Sequence, residues 1–474
     1  MITRIPLPEY KPDQSQNSGV LLKAQNVFPA MDGYRSVGAI ETLSDALAAP
    51  FQGGASAIAS NGNAYLLAGT ESELFRLNAD FSWTSLLDSL TAPKRWRFAQ
   101  FKEYTVAVNG GDTLQVDLGT STASVIADAP TGTSVAVVGD FVVIGQADGN
   151  INRVQWSAFD DHTAWTPAVN QSGFQPMNTG GSVMGICGGE YGIILQRERL
   201  VRMTRTGDSD APFQFDEVSS NFGCAAGATI AQAGRSIFFR SDRGFMALDD
   251  GQALRPIGSE KVDRTFDRLV SRDQLENIYT AVDPQNKLVM WLVPGAPGTM
   301  WTYNFELDRW STIVLTAKGL FPGFTTSVGL DDLEGLGYTD LDSMPFSLDD
   351  PRWTGGNPKL YLLDATNAIG TLAGATLEAQ IEMGYNELAN GRRARLRNVR
   401  PVWDGTSGMT VTANAKQRLG DGNNISTAST LRASGRIPIR ASGRYISTSL
   451  HIAAGVDWDY IQALDYEFEQ GGAR

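Results

Sequence analysis

Short apolar runs, closed at each end by turn formers, recur along most of this chain. Ala64-Tyr65-Leu66-Leu67-Ala68, Thr105-Val106-Ala107-Val108, Phe141-Val142-Val143-Ile144 and Ser236-Ile237-Phe238-Phe239-Arg240 are examples. Runs of this length, rich in β-branched and aromatic residues and bounded by Gly, Asn or Asp, predict β-strands. Helical spacing is scarce. It is clearest from Val262 to Glu276, with short turns expected near Asp45 and Leu86. The pattern is that of an all-β protein.

A degenerate repeat lies within it: an apolar strand, a turn with Asp or Asn, and a return strand that is often aromatic. The first copy is Leu74-Phe75-Arg76-Leu77-Asn78-Ala79-Asp80-Phe81-Ser82-Trp83, and similar hairpins begin near Leu114, Val154, Leu200, Phe245, Thr302 and Leu360. A four-strand unit recurring every 40 to 50 residues or so is the sequence mark of a β-propeller. Seven hairpins predict six or seven blades over residues 46–374. An array of β-sandwiches with hairpins of similar length is the alternative that periodicity leaves open.

Two flanks fall outside the repeat. Residues 1–45 carry prolines at 6, 8, 12 and 29 amid polar filler. They are expected to run extended along the platform described next or a neighbouring subunit. Residues 375–474 alternate cleanly, as in Thr376-Leu377-Glu378-Ala379-Gln380-Ile381-Glu382 and Met409-Thr410-Val411-Thr412-Ala413-Asn414. A period of two gives one buried and one solvated face, so this part is expected to be an antiparallel β-sandwich platform.

Composition sharpens the picture. Fifty of 474 residues are glycine, which suits a chain with many tight hairpins. The net charge of −13 disfavours non-specific binding to nucleic acid or anionic membranes. It is unevenly spread: residues 375–474 hold twelve Lys/Arg against ten Asp/Glu, a net of +2, which leaves −15 for the first 374. Such asymmetry points to different neighbours for the two parts. Two cysteines, Cys187 and Cys224, exclude a disulfide framework and fit folding in a reducing compartment. The start lacks the apolar core of a signal peptide, and no apolar run is long enough to span a bilayer, so a soluble protein is expected.

Chemistry is hard to place. Of two histidines, His162 sits in a turn where a solvated side chain is expected, and His451 lies on an alternating strand. Neither has metal-ligand spacing. The cysteines lack basic neighbours and read as small core residues. Ser241-Asp242-Arg243-Gly244-Phe245 partly resembles the Asp-box turn of sialidases but lacks the following Thr-Trp. The cluster Asp331, Asp332, Glu334, Asp340, Asp342, Asp349 and Asp350 has no EF-hand spacing and reads as a solvated acidic loop. Trp83, Trp156, Trp165 and Trp310 are expected to pack blades rather than stack on sugars. No catalytic, metal or cofactor site is expected.

Several patches, in order along nearly the whole chain, carry a family resemblance. They are Asn26-Val27-Phe28-Pro29 with Gly33-Tyr34-Arg35-Ser36-Val37-Gly38, then Val154-Gln155-Trp156-Ser157 to Trp165, and Ile194-Leu195-Gln196-Arg197-Glu198-Arg199. Phe238-Phe239-Arg240-Ser241-Asp242-Arg243-Gly244-Phe245, Ile257-Gly258-Ser259-Glu260-Lys261-Val262, Ser442-Gly443-Arg444-Tyr445 and Gly471-Gly472-Ala473-Arg474 complete the set. With these the chain resembles the tail nozzle, or tail hub, proteins of podoviruses, also called packaged-DNA stabilisation proteins. The resemblance implies a homo-hexameric ring in the virion tail, made in the bacterial cytoplasm and set beneath the portal and a head-to-tail adaptor. It also implies a propeller outside a channel that encloses double-stranded DNA without reading its sequence, and a platform that touches the adaptor and the tail fibres or spikes. The ring would hold the genome until ejection, with no membrane insertion of its own. Arg392, Arg393, Arg395, Arg397, Arg440 and Arg444 are expected at an assembly interface, pairing with acidic adaptor surfaces. The alternative is that they blunt a sheet edge. A glycan- or receptor-binding propeller, or a propeller glycosidase using paired carboxylates, remains the competing reading.

Overall fold

The structure is a computed structural model that describes residues 1–91, 93–326 and 356–471. The acidic cluster between Asp331 and Asp350 lies outside the described residues. Within them strand follows strand, with a single α-helix, Asp263–Leu269.

Six separate four-stranded antiparallel sheets, and a seventh four-strand unit inside a nine-stranded sheet, make up a β-propeller. In chain order the blades occupy residues 53–87, 97–125, 134–176, 183–219, 231–256, 279–315 and 319–371. The first strand of blade 7, Gly319–Phe324, lies against that of blade 1, Gly53–Ile58, which closes the ring. Among the described residues, one apolar cluster fills each boundary between neighbouring blades. Leu67 and Leu74 meet Ala107 and Leu114 between blades 1 and 2, for example, and Leu195 and Leu200 meet Phe239 and Leu248 between blades 4 and 5. Burial on both faces explains why central strands such as Phe141–Gly145 and Leu288–Val293 are apolar without alternation.

Each of the seven hairpins found in the sequence falls in a different blade. Six mark the third strand of their blade, but the one near Leu360 marks the second, Pro358–Leu363. The reason is topological. Blade 7 takes its fourth strand from the other end of the chain: Glu41–Ala46 pairs antiparallel with Ala368–Thr371, Gly370 facing Thr42 and Thr371 facing Glu41. Residues 41–45, assigned above to the extended arm, therefore belong to the ring. The turns expected near Asp45 and Leu86 are instead outermost strands, Glu41–Ala46 and Trp83–Leu87. Their solvated faces break the apolar run at intervals that imitate a helix in a short window.

Blade 6 does not end at its fourth strand. Arg309–Leu315 pairs parallel with Leu21–Gln25 at Thr312 and Gln25. That strand pairs with Ala379–Met383, and Tyr445–Ile452, Met409–Lys416 and Ser429–Thr430 follow. A second platform sheet runs Val27–Pro29, Tyr34–Ser36, Tyr460–Gln470, Ala394–Trp403, Ile437–Gly443, with Ile2–Pro6 added beside Tyr460–Gln470. Ile381, Val411 and Ile446 of the first sheet share one apolar cluster with Leu396, Val399, Ile439 and Phe468 of the second, as in a sandwich. Thr448 Oγ1 and the Tyr466 phenol meet between them at 2.6 Å. The arm thus supplies four strands to the platform before it reaches the ring.

Asn26 sits where the chain leaves one platform sheet for the other. It is buried, 5% exposed, and has a φ of +57°. Its side-chain oxygen accepts the N–H of Val314 at 2.7 Å, and its side-chain nitrogen donates to the Glu378 carbonyl at 2.6 Å. Nearby, Phe245, Trp291, Trp301, Trp310 and Phe266 form a buried aromatic cluster, with Trp291 stacked on Trp310 at 5.6 Å and Phe266 edge-on to Trp301 at 5.4 Å. The helix packs there through Phe266. Asp13 of the arm accepts the N–H groups of Arg264 and Thr265 at 2.7 and 2.8 Å, so a side chain some 250 residues away in sequence serves the helix's first turn. Arg240, 3% exposed, bonds Asp263 at 3.3 Å and Asp267 at 2.5 Å.

Two stability predictions follow from these contacts. Asn26→Ala should lower unfolding free energy by about 2–4 kcal/mol, because two buried hydrogen-bond partners are orphaned and the left-handed backbone is strained. Asn26→Gly should recover about 1 kcal/mol of that by relieving the backbone alone. Urea unfolding of both variants measures the two terms, and equal losses would remove the backbone contribution. The second concerns Asp263, whose carboxyl burial pushes up to about 6. A raised acid favours its protonated form in the folded chain, so its contribution is fullest at low pH and is lost as pH rises towards 6. Relative to Asp263→Asn, wild-type stability should fall between about pH 4 and about pH 7; a pH-independent difference would show that Asp263 is not held up.

Candidate functional site

The arginines singled out in the sequence lie on and beside one strand pair of the second platform sheet. Ala394–Trp403 alternates buried Ala394, Leu396 and Val399 with exposed Arg395, Arg397 and Arg400. Its neighbour Ile437–Gly443 buries Ile437, Ile439 and Ala441 and exposes Arg440. Arg395, Arg397 and Arg440 therefore share the outward face. Arg392 and Arg393 are exposed just before the strand. Arg444 sits apart on the connection to Tyr445–Ile452, where it bonds Glu387 at 3.2 Å and lies over the Tyr445 ring.

Three acids meet this face from the adjoining strand Tyr460–Gln470. Arg397 pairs with Glu469 at 2.7 Å, and Arg436 with Glu467 at 3.3 Å. On the far side Arg4 grips Asp465 with two bonds of 2.7 and 3.0 Å. The bond from Arg4 holds the Asp465 carboxyl below the usual carboxylate range, and that from Arg397 does the same for Glu469. The arginines expected to await a partner are thus partly spent at home. Arg393 bonds the Ser442 hydroxyl at 2.9 Å. Among the described residues Arg392, Arg395 and Arg440 have no ion-pair partner. Arg4 and the acids were missed from sequence, although Asp465, Glu467 and Glu469 at alternate positions of one strand mark a single charged face.

The residues weighed for chemistry are placed otherwise. His162 is buried rather than solvated: its ring packs on Tyr104 at 4.4 Å, its Nε2 lies 2.6 Å from Gln115 Oε1, and burial lowers its pKa. His451 pairs with Glu378 at 2.8 Å on an exposed strand face. Cys187 and Cys224 are buried between blades 4 and 5, and burial pushes both thiols up to about 12. Asp242 occupies its hairpin corner between Arg197 at 3.2 Å and Arg272 at 2.6 Å. Trp165 and Trp310 are fully buried and Trp156 nearly so, whereas Trp83 stands edge-on to Phe75 at partial exposure. Among the described residues no cluster of His, Cys, Asp and Glu could hold a metal ion. No helix among them is long and apolar enough to cross a membrane.

Charge reversal on the platform face should separate spent from free arginines. Arg397→Glu is expected to lower stability by about 1 kcal/mol or less, and the loss should shrink in high salt. Arg395→Glu and Arg440→Glu should each stay within about 0.5 kcal/mol of wild type. Urea titrations at low and high salt give the comparison; a larger loss for Arg440→Glu than for Arg397→Glu would contradict it.

No protein-family model and no curated protein sequence matches this chain. Solved structures do. The WD40 repeats of RRP9 share 10% identity over 60% of this chain and 88% of that one, with a TM-score of 0.38. Dihydro-heme d1 dehydrogenase NirN shares 12% over 81% and 76%, TM-score 0.38. Virginiamycin B lyase from Staphylococcus aureus shares 10% over 60% and 93%, TM-score 0.39. At such scores these likenesses carry no argument of their own, and the propeller stands on the chain's own strand pairing.

Proposed function

We propose that the chain is a structural subunit of the ring-shaped nozzle of a short phage tail, lining the DNA exit path below portal and adaptor. The observation that carries this reading is where the family-like patches fall. Asn26 and Val27, Tyr34, Phe238, Phe245, Ile257 and Val262 lie at, or are buried in, the junction between propeller and platform. Val154, Trp156, Ile194 and Leu195 of the other patches are buried between blades of the ring, so the resemblance concerns ring and junction packing rather than a reactive pocket. Residues before 375 carry −15, a polarity that would let duplex DNA slide without sticking. The platform's exposed Arg392, Arg395 and Arg440, with no ion pair among the described residues, offer an acidic adaptor a place to pair. A glycan-binding propeller would display aromatics, and of the large hydrophobics exposed among the described residues only Phe174 is aromatic.

Electron microscopy and sedimentation of the purified 51.1 kDa chain test the reading. Closed rings, six-fold if the resemblance holds in full, are expected at high concentration or with adaptor present. A chain that stays monomeric under both conditions would sink it. The Arg395→Glu/Arg440→Glu double variant should fold normally yet lose incorporation into tails, and normal incorporation would remove these arginines from the interface.

A further inference from the structure

The propeller axis holds a cavity of about 890 Å³, bounded by the first strands of blades 2 to 5 and by Tyr279 of blade 6. Two arginines reach it, and they are treated differently. Arg95 is satisfied: its guanidinium donates to the carbonyls of Asn277 and Ile278 and lies over the Tyr279 ring, 3.7 Å from its centre. Arg97 is not. It makes one hydrogen bond, to the Gly227 carbonyl at 3.1 Å, and among the described residues it has no ion-pair partner. Among the described residues the carboxylate lining the cavity is Glu276, which is exposed; its charge acts on both arginines without forming a salt bridge to either.

We infer that this axial cavity binds a small organic oxyanion, a carboxylate or a phosphate ester, whose anionic head is held by the Arg97 guanidinium. A planar fork with free N–H groups is matched to two oxygens of such a head. A half-buried guanidinium with no direct ion pair is costly to keep charged: burial lowers the Arg97 pKa, the Arg95 charge adds to that, and the Glu276 charge opposes it. The volume falls within the range of roughly 300–1,000 Å³ typical of small-molecule sites, so there is room for more than a bare ion. Apolar Ile186, Ile230 and Ala99 line the cavity beside Gln146 and Gln232, giving an organic body both surface types. The inference goes beyond the nozzle reading and is independent of ring assembly.

The test is calorimetric titration and thermal unfolding of the full chain with inorganic phosphate, succinate and, at matched ionic strength, chloride. Saturable binding of phosphate or succinate, with a raised midpoint and no response to chloride, is expected; which probe binds tells a phosphate head from a carboxylate one. Arg97→Gln should weaken binding at least about tenfold while unfolding as cooperatively as wild type, since one charge-assisted contact is worth that much. Should Arg97→Gln fail to fold, Arg97→Lys replaces it and must bind severalfold more weakly, because a point charge lacks the fork. No binding of either probe, an equal response to chloride, or unaltered affinity in the variant would overturn the assignment.

Discussion

At Asn26 the backbone leaves one sheet and enters the next, and the same residue ties both to blade 6. Its positive φ turns the chain, its oxygen takes the Val314 N–H on the last strand of that blade, and its nitrogen reaches the carbonyl just before Ala379–Met383. Those side-chain bonds reinforce the place where Leu21–Gln25 already pairs with blade 6 on one side and Ala379–Met383 on the other, inside the nine-stranded sheet. Backbone hydrogen bonds running unbroken across a boundary leave it little freedom to hinge. The aromatic cluster of Trp291, Trp301 and Trp310 beneath it acts to the same end, since its rings fill the blade 5–6 boundary that the platform also covers.

Ring closure imposes a second constraint, from the opposite direction in sequence. Every blade must cover both faces of its neighbours, so a missing strand exposes two apolar clusters. Blade 7 solves this with Glu41–Ala46, drawn from more than 300 residues upstream of its partner Ala368–Thr371. Arm, ring and platform are therefore completed together: residues 1–36 need the C-terminal strands, and residues 41–46 need the last blade. Long-range pairing of this kind carries a large loop-closure entropy. It is offset only once the apolar boundaries are filled.

Local patterns survived into the structure, whereas long-range ones had left no trace in the sequence. Hairpins such as Leu74 to Trp83 are short, and their alternation and turn residues are visible in a ten-residue window, so the hairpins could be counted to six or seven blades. The pairing of Glu41 with Thr371 or of Ile2 with Glu467 has no local signature. That is why a proline-bearing arm looked merely extended. The arginine face was legible as charge but not as chemistry: the acids that neutralise Arg397 and Arg4 lie 72 and 461 residues away. His162 misled for the same reason, because the Tyr104 and Gln115 that bury it come from the neighbouring blade.

The electrostatics of the molecule then read as a contrast between spent and unspent cations. Buried Arg240 has two carboxylates, Arg95 has two carbonyls and a ring, and Arg4 and Arg397 have acids on an adjoining strand. Each of these fixes one element against another, and none is available to a partner. In a chain with thirteen more negative than positive charges, an arginine left unneutralised is not explained by a shortage of acids. Arg97 on the propeller axis is the clearest such case: it lines the axial cavity, half-buried, with one hydrogen bond and no ion pair among the described residues. Arg395 and Arg440, set on a rigid sheet and facing outward, are the surface counterpart. A solvated arginine alone would say little; Arg395 stands opposite Glu469, which Arg397 already binds, and Arg440 has no ion-pair partner among the described residues.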